Sequence, residues 1–181
     1  MLHIKVVCIS AKAQHGKDTA AEILKTHLES LGKRVIIIHY ADLLKFICTK
    51  FFGWDGKKDD AGRTILQHVG TDTIRKQRPD YWVDFVAQFL TLFASDWDYA
   101  LIPDCRFPNE AEKMRESFET KVLRIFRPSF DNGLSIEQQQ HPSEVSMDNY
   151  PFDSVIYNDG TLEEFKSKLV QFITTELTFE D

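Results

Sequence analysis

The chain of 181 residues is 43% hydrophobic and 28% charged, which suits one folded domain with a substantial core and excludes a disordered chain. Its formal net charge of −6 excludes a coat for nucleic acid polymers but leaves room for one phosphorylated small molecule, which a few local cations can hold. No apolar run approaches roughly 18 residues and the short N-terminal run lacks a signal-peptide layout, so a cytoplasmic chain without membrane contact is expected.

In chain order, HIKVVCIS (3–10) is too short and too β-branched for a helix and reads as a buried first strand. KDTAAEILKTHLESLG (17–32) places Ala20, Ile23, Leu24, His27, Leu28 and Leu31 at helical spacing, with Gly32 as its stop. KRVIIIHY (33–40) reads as a second strand, ADLLKFICTKFFG (41–53) as a helix, and WDGKKDDAG (54–62) as a solvated loop. Two helical stretches follow, RTILQHVGTDTIRKQ (63–77) and DYWVDFVAQFLTLFA (80–94), separated by Pro79. DYALIPD (98–104) is a strand, NEAEKMRESF (109–118) a short amphipathic helix and TKVLRIFR (120–127) another strand. From Pro128 to Pro151 the chain is polar and aperiodic, and a mobile segment is expected. DSVIYND (153–159) and TLEEFKSKLVQFITTEL (161–177) close the chain as a strand and an amphipathic helix. Strands alternating with helices imply a three-layer α/β fold, a parallel sheet covered by helices on both faces. No repeat or composition break divides residues 1–181, so a single domain is expected. Cys8, Cys48 and Cys105 are odd in number and not closely paired, so reduced, buried thiols are expected.

Between the first strand and the first helix lies AKAQHGKDTA (11–20). It resembles G-x-x-x-x-G-K-[ST], whose backbone amides cradle phosphates while the lysine reaches the outer ones. Gly16 and Lys17 fit, and the strand-to-helix setting is where a helix dipole favours an anion. Ala11 replaces the first glycine, which works if its φ stays negative. Asp18 replaces the hydroxyl residue; a carboxylate there repels phosphate unless Mg²⁺ lies between, and Thr19 offers a hydroxyl from the same turn. The sequence leaves open which of Asp18 and Thr19 approaches the metal.

Asp104 ends a short apolar strand, where an acid can hold Mg²⁺ directly or through water; the other reading is a cap of the next turn. Arg106 follows at the carboxyl ends of the strands, where open α/β sheets bind ligands, and Asn109 and Glu110 read as the start of the next helix. Arg63 and Gln67, spaced i, i+4, share a helix face that can clamp a phosphate and pair with a base edge, and Arg75 and Arg78 lie near Tyr81 and Trp82; taken alone, these read first as a solvated basic face. Arg124 and Arg127 lead into the aperiodic segment, where an arginine on a lid can neutralise transferring charge or simply be surface charge. In HPSE (141–144), His141 is not expected to act as a base, because a phosphate acceptor is already ionised. Glu144 suits a hydrogen bond to a sugar hydroxyl or an arginine.

Taken in order, GKDT, YADLLK, GRTILQHVGTDTIR, Trp82, DCRFPNEAE, RIFRP, HPSE and YNDGTLEEF resemble the bacteriophage-type deoxynucleoside monophosphate kinases, from Lys5 to about Phe165. The resemblance implies a P-loop kinase fold with a lid around 128–151, and transfer of a phosphoryl group from ATP, with Mg²⁺, to a (deoxy)nucleoside 5′-monophosphate. It implies ATP binding by Ala13, Gln14, His15, Gly16, Lys17, Asp18 and Thr19, and metal binding by Asp18, Thr19 and Asp104. Lys17, Arg106 and Arg127 become the catalytic candidates. Asp42, Lys45, Arg63, Gln67, Arg75, Trp82 and Glu144 become the acceptor-binding ones. An aspartate after the P-loop lysine is a feature of this group. Animal-type phosphomevalonate kinases share a Gly-Lys-Asp loop and keep that substrate class open, and a non-catalytic nucleotide switch would need the loop but no second group of arginines. Base preference and a homodimer stay open; a phage-encoded chain would work in the host cytoplasm.

Overall fold

The computed structural model describes residues 3–57 and 59–177. Five strands, β1 (Lys5–Ser10), β2 (Val35–Ile37), β3 (Tyr99–Ile102), β4 (Glu119–Phe126) and β5 (Ser154–Tyr157), form one sheet in the order β2-β3-β1-β4-β5, every pair parallel. The helices between them are α1 (Lys17–Ser30), α2 (Ala41–Phe51), α3 (Asp60–Gln67), α4 (Tyr81–Leu92), α5 (Pro108–Ser117), α6 (Ile136–Gln139), α7 (Pro142–Val145) and α8 (Leu162–Glu176). The expected three-layer α/β architecture is what the chain adopts, and no helix among the described residues is long and apolar enough to cross a membrane.

Side-chain alternation along the strands divides the core. Val7 and Ile9 of β1 point to one face, where Leu24 and Leu28 of α1 and Phe165, Leu169, Phe172 and Ile173 of α8 cover them. Val6 and Cys8 point to the other, under Val83, Val86 and Leu90 of α4 and Ala111 and Met114 of α5. With both faces covered, the central strands carry near-continuous apolar runs. All three cysteines are free and buried, as small apolar residues of a reduced chain.

Three elements differ from the sequence reading. β2 is shorter than 33–40: it pairs with β3 alone, and beyond it the chain turns into α2, whose first amides, Tyr40 N and Ala41 N, each donate to the Asp104 carboxylate at 3.0 Å. The helical stretch expected from Arg63 starts at Asp60, because Asp59 caps it by accepting from Gly62 N at 2.9 Å. Gly62 is no breaker there; it sits in the first turn against Lys57 O, where a Cβ would collide. Lys58, within the expected loop 54–62, lies outside the described residues. The same helix widens into a π-helical segment, His68–Arg75, a form that recurs near functional sites.

The aperiodic segment 128–151 is not featureless. α6 is capped by Ser135 in a reciprocal box with Gln138, and α7 by His141, whose ring accepts from Ser143 N. Met147 is buried. Four contacts dock the segment on the β1–α1 loop and β4, from Gln14 to Asn132 O (2.9 Å), Ala13 N to Glu144 (3.0 Å), Lys12 to Asp148 (3.0 Å) and Arg124 to Asp148 (3.1 Å). One-turn helices are too short to show a period, which is why the sequence reads only as polar chain.

Candidate functional site

The loop after β1 lies at the carboxyl edge of the central strand, flanked by β3 on one side and β4 on the other. Ala11 is buried and keeps a negative φ, so its methyl group fits where a glycine was expected. Gln14 (φ 62) and Gly16 (φ 98) reverse the backbone, the alternation that turns successive amides toward a common centre. Gly16 is set by its left-handed φ, and a Cβ there would also stand 2.8 Å from the Asn158 side-chain nitrogen, which would have to shift. That nitrogen donates to His15 O at 3.1 Å, tying the loop to the end of β5. No side chain caps α1, so its first amides and the positive end of its dipole are left for an anion.

On the α2 flank the charges interlock. Lys17, the first residue of α1, lies 2.5 Å from Asp18 Oδ2. Asp18 Oδ1 faces His39 Nε2 at 3.6 Å, and His39 Nδ1 faces Asp42 Oδ2 at 3.4 Å. Asp42 also accepts from His39 N at 2.9 Å and Lys45 Nζ at 3.2 Å. The His39 ring, with Lys17 adding to it, holds the Asp18 carboxyl well below the usual carboxylate range. His39 is in turn pushed up, first by Asp18, then by the charges of Asp104 and Asp42 against its partial burial. The 3.6 Å separation makes this an ion pair rather than a hydrogen bond. His39 thus brings Asp42 and Lys45 to the loop after β1; it lies two residues beyond β2, and nothing in the sequence marked it.

On the β3 side, Glu144 of α7 bridges two sequence candidates. Its Oε2 accepts from Ala13 N at 3.0 Å and its Oε1 from Arg106 Nη1 at 2.6 Å. Arg106 also approaches Ser143 O at 3.4 Å. The arginine partner read for Glu144 is therefore Arg106. Glu110, 2% exposed, accepts from Arg106 N, Phe107 N and Arg75 Nη2 at 2.7, 3.1 and 2.5 Å. Burial pushes its carboxyl up, opposed mainly by the charge of Arg75. Arg75 also covers the Phe107 ring at 3.9 Å, so its guanidinium is fixed as a wall of the site. Asp104 is 9% exposed and caps α2 with both oxygens; each accepts one N–H and keeps a free lone pair.

On the β4 side the loop meets aromatic surface. His15, 4% exposed, stands edge-on to Phe126 and Phe130 and accepts from Arg127 N at 3.1 Å through Nδ1. Burial first, then the cations Arg124, Lys12 and Arg127, push its pKa down. Arg127 lies over the Phe130 ring at 3.9 Å. These residues line a cleft of about 400 Å³ with Lys12 and Asn132. Arg127 therefore belongs to this flank and not beside Arg106. Arg124 is a strut: 7% exposed, it bonds Ser10 Oγ at 2.9 Å and Asp148 at 3.1 Å.

Three acceptor candidates stand apart. Arg63 and Gln67 are exposed on α3, which packs on α2 and the π-helical segment, one helix removed from the loop. Trp82 is corrected from a ligand-facing residue to a core one. It is 3% exposed, and its indole N–H donates to Gly70 O at 3.2 Å, because α4 turns its apolar stripe inward and carries Trp82 with it. Thr19 is exposed in the first turn of α1. Asn158 is a second residue the sequence reading missed as a site member; its only signal is its place after the last strand in YND.

The family model described as deoxynucleotide monophosphate kinase matches residues 42–169, a stretch that begins after the phosphate loop, so the loop geometry is independent of it. The deoxynucleotide monophosphate kinase of Enterobacteria phage T4 is 34% identical over 109 residues, 59% of this chain and 43% of that one. That of Escherichia phage RB69 is 30% identical over 113 residues, 61% of this chain and 44% of that one. The matched stretches are thus under half the length of those relatives. Among solved structures, the Mycobacterium tuberculosis APS kinase in complex with AMPPNP and APS aligns over 97% of this chain and 100% of its own, with 12% identity and a TM-score of 0.54. At that identity it speaks for the fold alone.

Proposed function

The chain belongs to the deoxynucleotide monophosphate kinase family, and from that premise we propose that it transfers the γ-phosphoryl group of ATP to a (deoxy)nucleoside 5′-monophosphate, giving the diphosphate. The observation that carries this reading is the Glu144 bridge. The Glu144 side-chain carboxylate spans the Ala13 amide and the Arg106 guanidinium, at 3.0 and 2.6 Å. A phosphoryl group that displaced it would meet the same two donors.

Phosphoryl transfer needs positioning and charge stabilisation rather than covalent chemistry from the protein. Lys17 and the loop amides would hold the donor phosphates, with the base of ATP in the cleft between His15, Arg127 and Phe130, where a guanidinium and ring edges suit a flat heterocycle. Arg106 would face the transferring group, and Arg75 the acceptor phosphate. Asp42, Lys45, Arg63 and Gln67 would frame the acceptor along α2 and α3. The donor set fits Mg²⁺: Asp104, with Asp18 or Thr19, offers the hard oxygens it takes beside phosphates, and it would draw off their charge. The segment 128–151, docked on the loop, would exclude water so that phosphate goes to the nucleotide.

Incubation with Mg·ATP and each common (d)NMP, with phosphomevalonate in parallel, and coupled detection of ADP tests this. Turnover of at least one monophosphate is expected. Turnover of phosphomevalonate alone would retain the P-loop reading and replace the acceptor; ATP binding without any turnover would favour a switch.

A further inference from the structure

Among the described residues two acids are buried, Asp104 and, more deeply, Glu110. Burying a carboxylate is costly unless it is paired and hydrogen-bonded, and capping a helix does not require it. Glu110 is the third residue of α5 and reaches back to its first amides. Gln138 in α6 and Glu164 in α8 do the same from the surface, Gln138 with a neutral amide. The two oxygens of Glu110 divide the work. Oε2 accepts from Arg106 N at 2.7 Å and Phe107 N at 3.1 Å, which is the cap. Oε1 takes no part in it and accepts from Arg75 Nη2 at 2.5 Å, 35 residues away. Arg75 closes the π-helical segment, and its guanidinium lies 3.9 Å above the Phe107 ring. Among the described residues its hydrogen bond goes to Glu110 alone, which leaves its other N–H donors for an anion.

We propose that Glu110 is a positioning residue for the acceptor. Its Oε1 holds the Arg75 guanidinium against the Phe107 ring, and its Oε2 holds the turn that carries Arg106. One carboxylate thereby sets the spacing of the two arginines that the transfer would use. Glu110 touches neither nucleotide. A long side chain that grips a ligand loses rotamer freedom, and Arg75 has lost it before the ligand arrives. The charge of Glu110 itself opposes a phosphate, so the sign of the effect decides between positioning and repulsion. The inference rests on the acceptor part of the proposed function.

Glu110→Gln separates the two oxygens: an amide oxygen can still complete the cap, as in α6, but the amide nitrogen cannot accept from Arg75. The test is a double-mutant cycle of Glu110→Gln with Arg75→Ala. It is read by the KM and calorimetric binding of the common (d)NMP that wild type binds most tightly, and by binding of a non-hydrolysable ATP analogue with Mg²⁺. Glu110→Gln is expected to weaken monophosphate binding about tenfold, the scale of one charge-assisted hydrogen bond, with analogue binding unchanged. In the Arg75→Ala background it is expected to add nothing. Phe107→Leu removes the ring and keeps the ion pair; it is expected to weaken monophosphate binding about threefold. Should circular dichroism show Glu110→Gln unfolded, Phe107→Leu decides, and unaltered monophosphate binding in it would overturn the proposal. Equal losses from Glu110→Gln in both backgrounds, equal losses for both nucleotides, or tighter monophosphate binding would overturn it as well. If wild type binds a monophosphate but turns none over, the kinase reading fails and the binding cycle still decides on Glu110. If wild type binds no monophosphate, both fall.

Discussion

On the β4 side of the phosphate loop, His15 is buried against Phe126 and Phe130, and burial with three nearby cations pushes it toward its neutral form. On the α2 side, His39 stands between two carboxylates that push it toward its charged form. The same side chain, on either flank of one loop, is driven in opposite directions by its surroundings. The first flank is a cleft of ring edges with one stacked guanidinium, suited to a flat base. The second is a chain of alternating charges, Lys17, Asp18, His39, Asp42 and Lys45, suited to an ionic partner with hydroxyls and phosphate. The proposed transfer from one nucleotide to another would need such an asymmetry, since both would present the same kind of phosphate.

The largest effect should come from Lys17, the loop lysine at the start of α1. Lys17→Ala is expected to lower kcat by about 100-fold or more, the scale of removing one preorganised donor from developing charge, with the circular dichroism spectrum unchanged. An unaltered kcat would move the donor site away from the loop. Next, Arg63→Ala should weaken use of the monophosphate by about 2–3 kcal/mol, the scale of a charge-assisted phosphate contact. Calorimetric binding of an ATP analogue should barely change. The opposite pattern would reverse the two flanks.

Arg127→Ala provides the mirror experiment. It should cost about 1 kcal/mol of ATP-analogue affinity through the lost stacking on a base, and leave the KM for the monophosphate as it was. A raised monophosphate KM with normal analogue binding would place Arg127 on the acceptor side. The smallest effect concerns stability. His15 has a folded pKa below the ordinary value of about 6.5. Above that pH both states carry a neutral ring, and its contribution is fully present. As the pH falls through 6.5 the unfolded chain takes up a proton before the native one does, so stability drops until the folded pKa is passed. The part of the denaturant midpoint that His15 contributes should therefore fall as the pH drops through about 6.5, and His15→Gln should remove that part of the slope. Equal slopes would mean that His15 does not resist protonation.

The sequence by itself determined the layers, because apolar runs alternating with 3.6-residue periods admit little but a parallel sheet between helices. Every expected strand is present, and the turn from β1 into α1 was legible in Gly16, since a left-handed turn before a helix demands glycine at that one place. Asp104 was visible as an acid ending a strand, though only the fold showed that it caps α2. Tertiary structure alone decided which side chains meet. Glu144 reaches Ala13 over 131 residues of separation, and Asn158 reaches His15 over 143; no local pattern encodes such distances. It also decided that Trp82 is core, that Arg127 and Arg106 lie on different flanks, and that His39 is in the site at all. Periodicity reports which face of an element is buried, whereas the meeting of charges depends on where parallel strands end in space, and that is set by the register of the whole sheet.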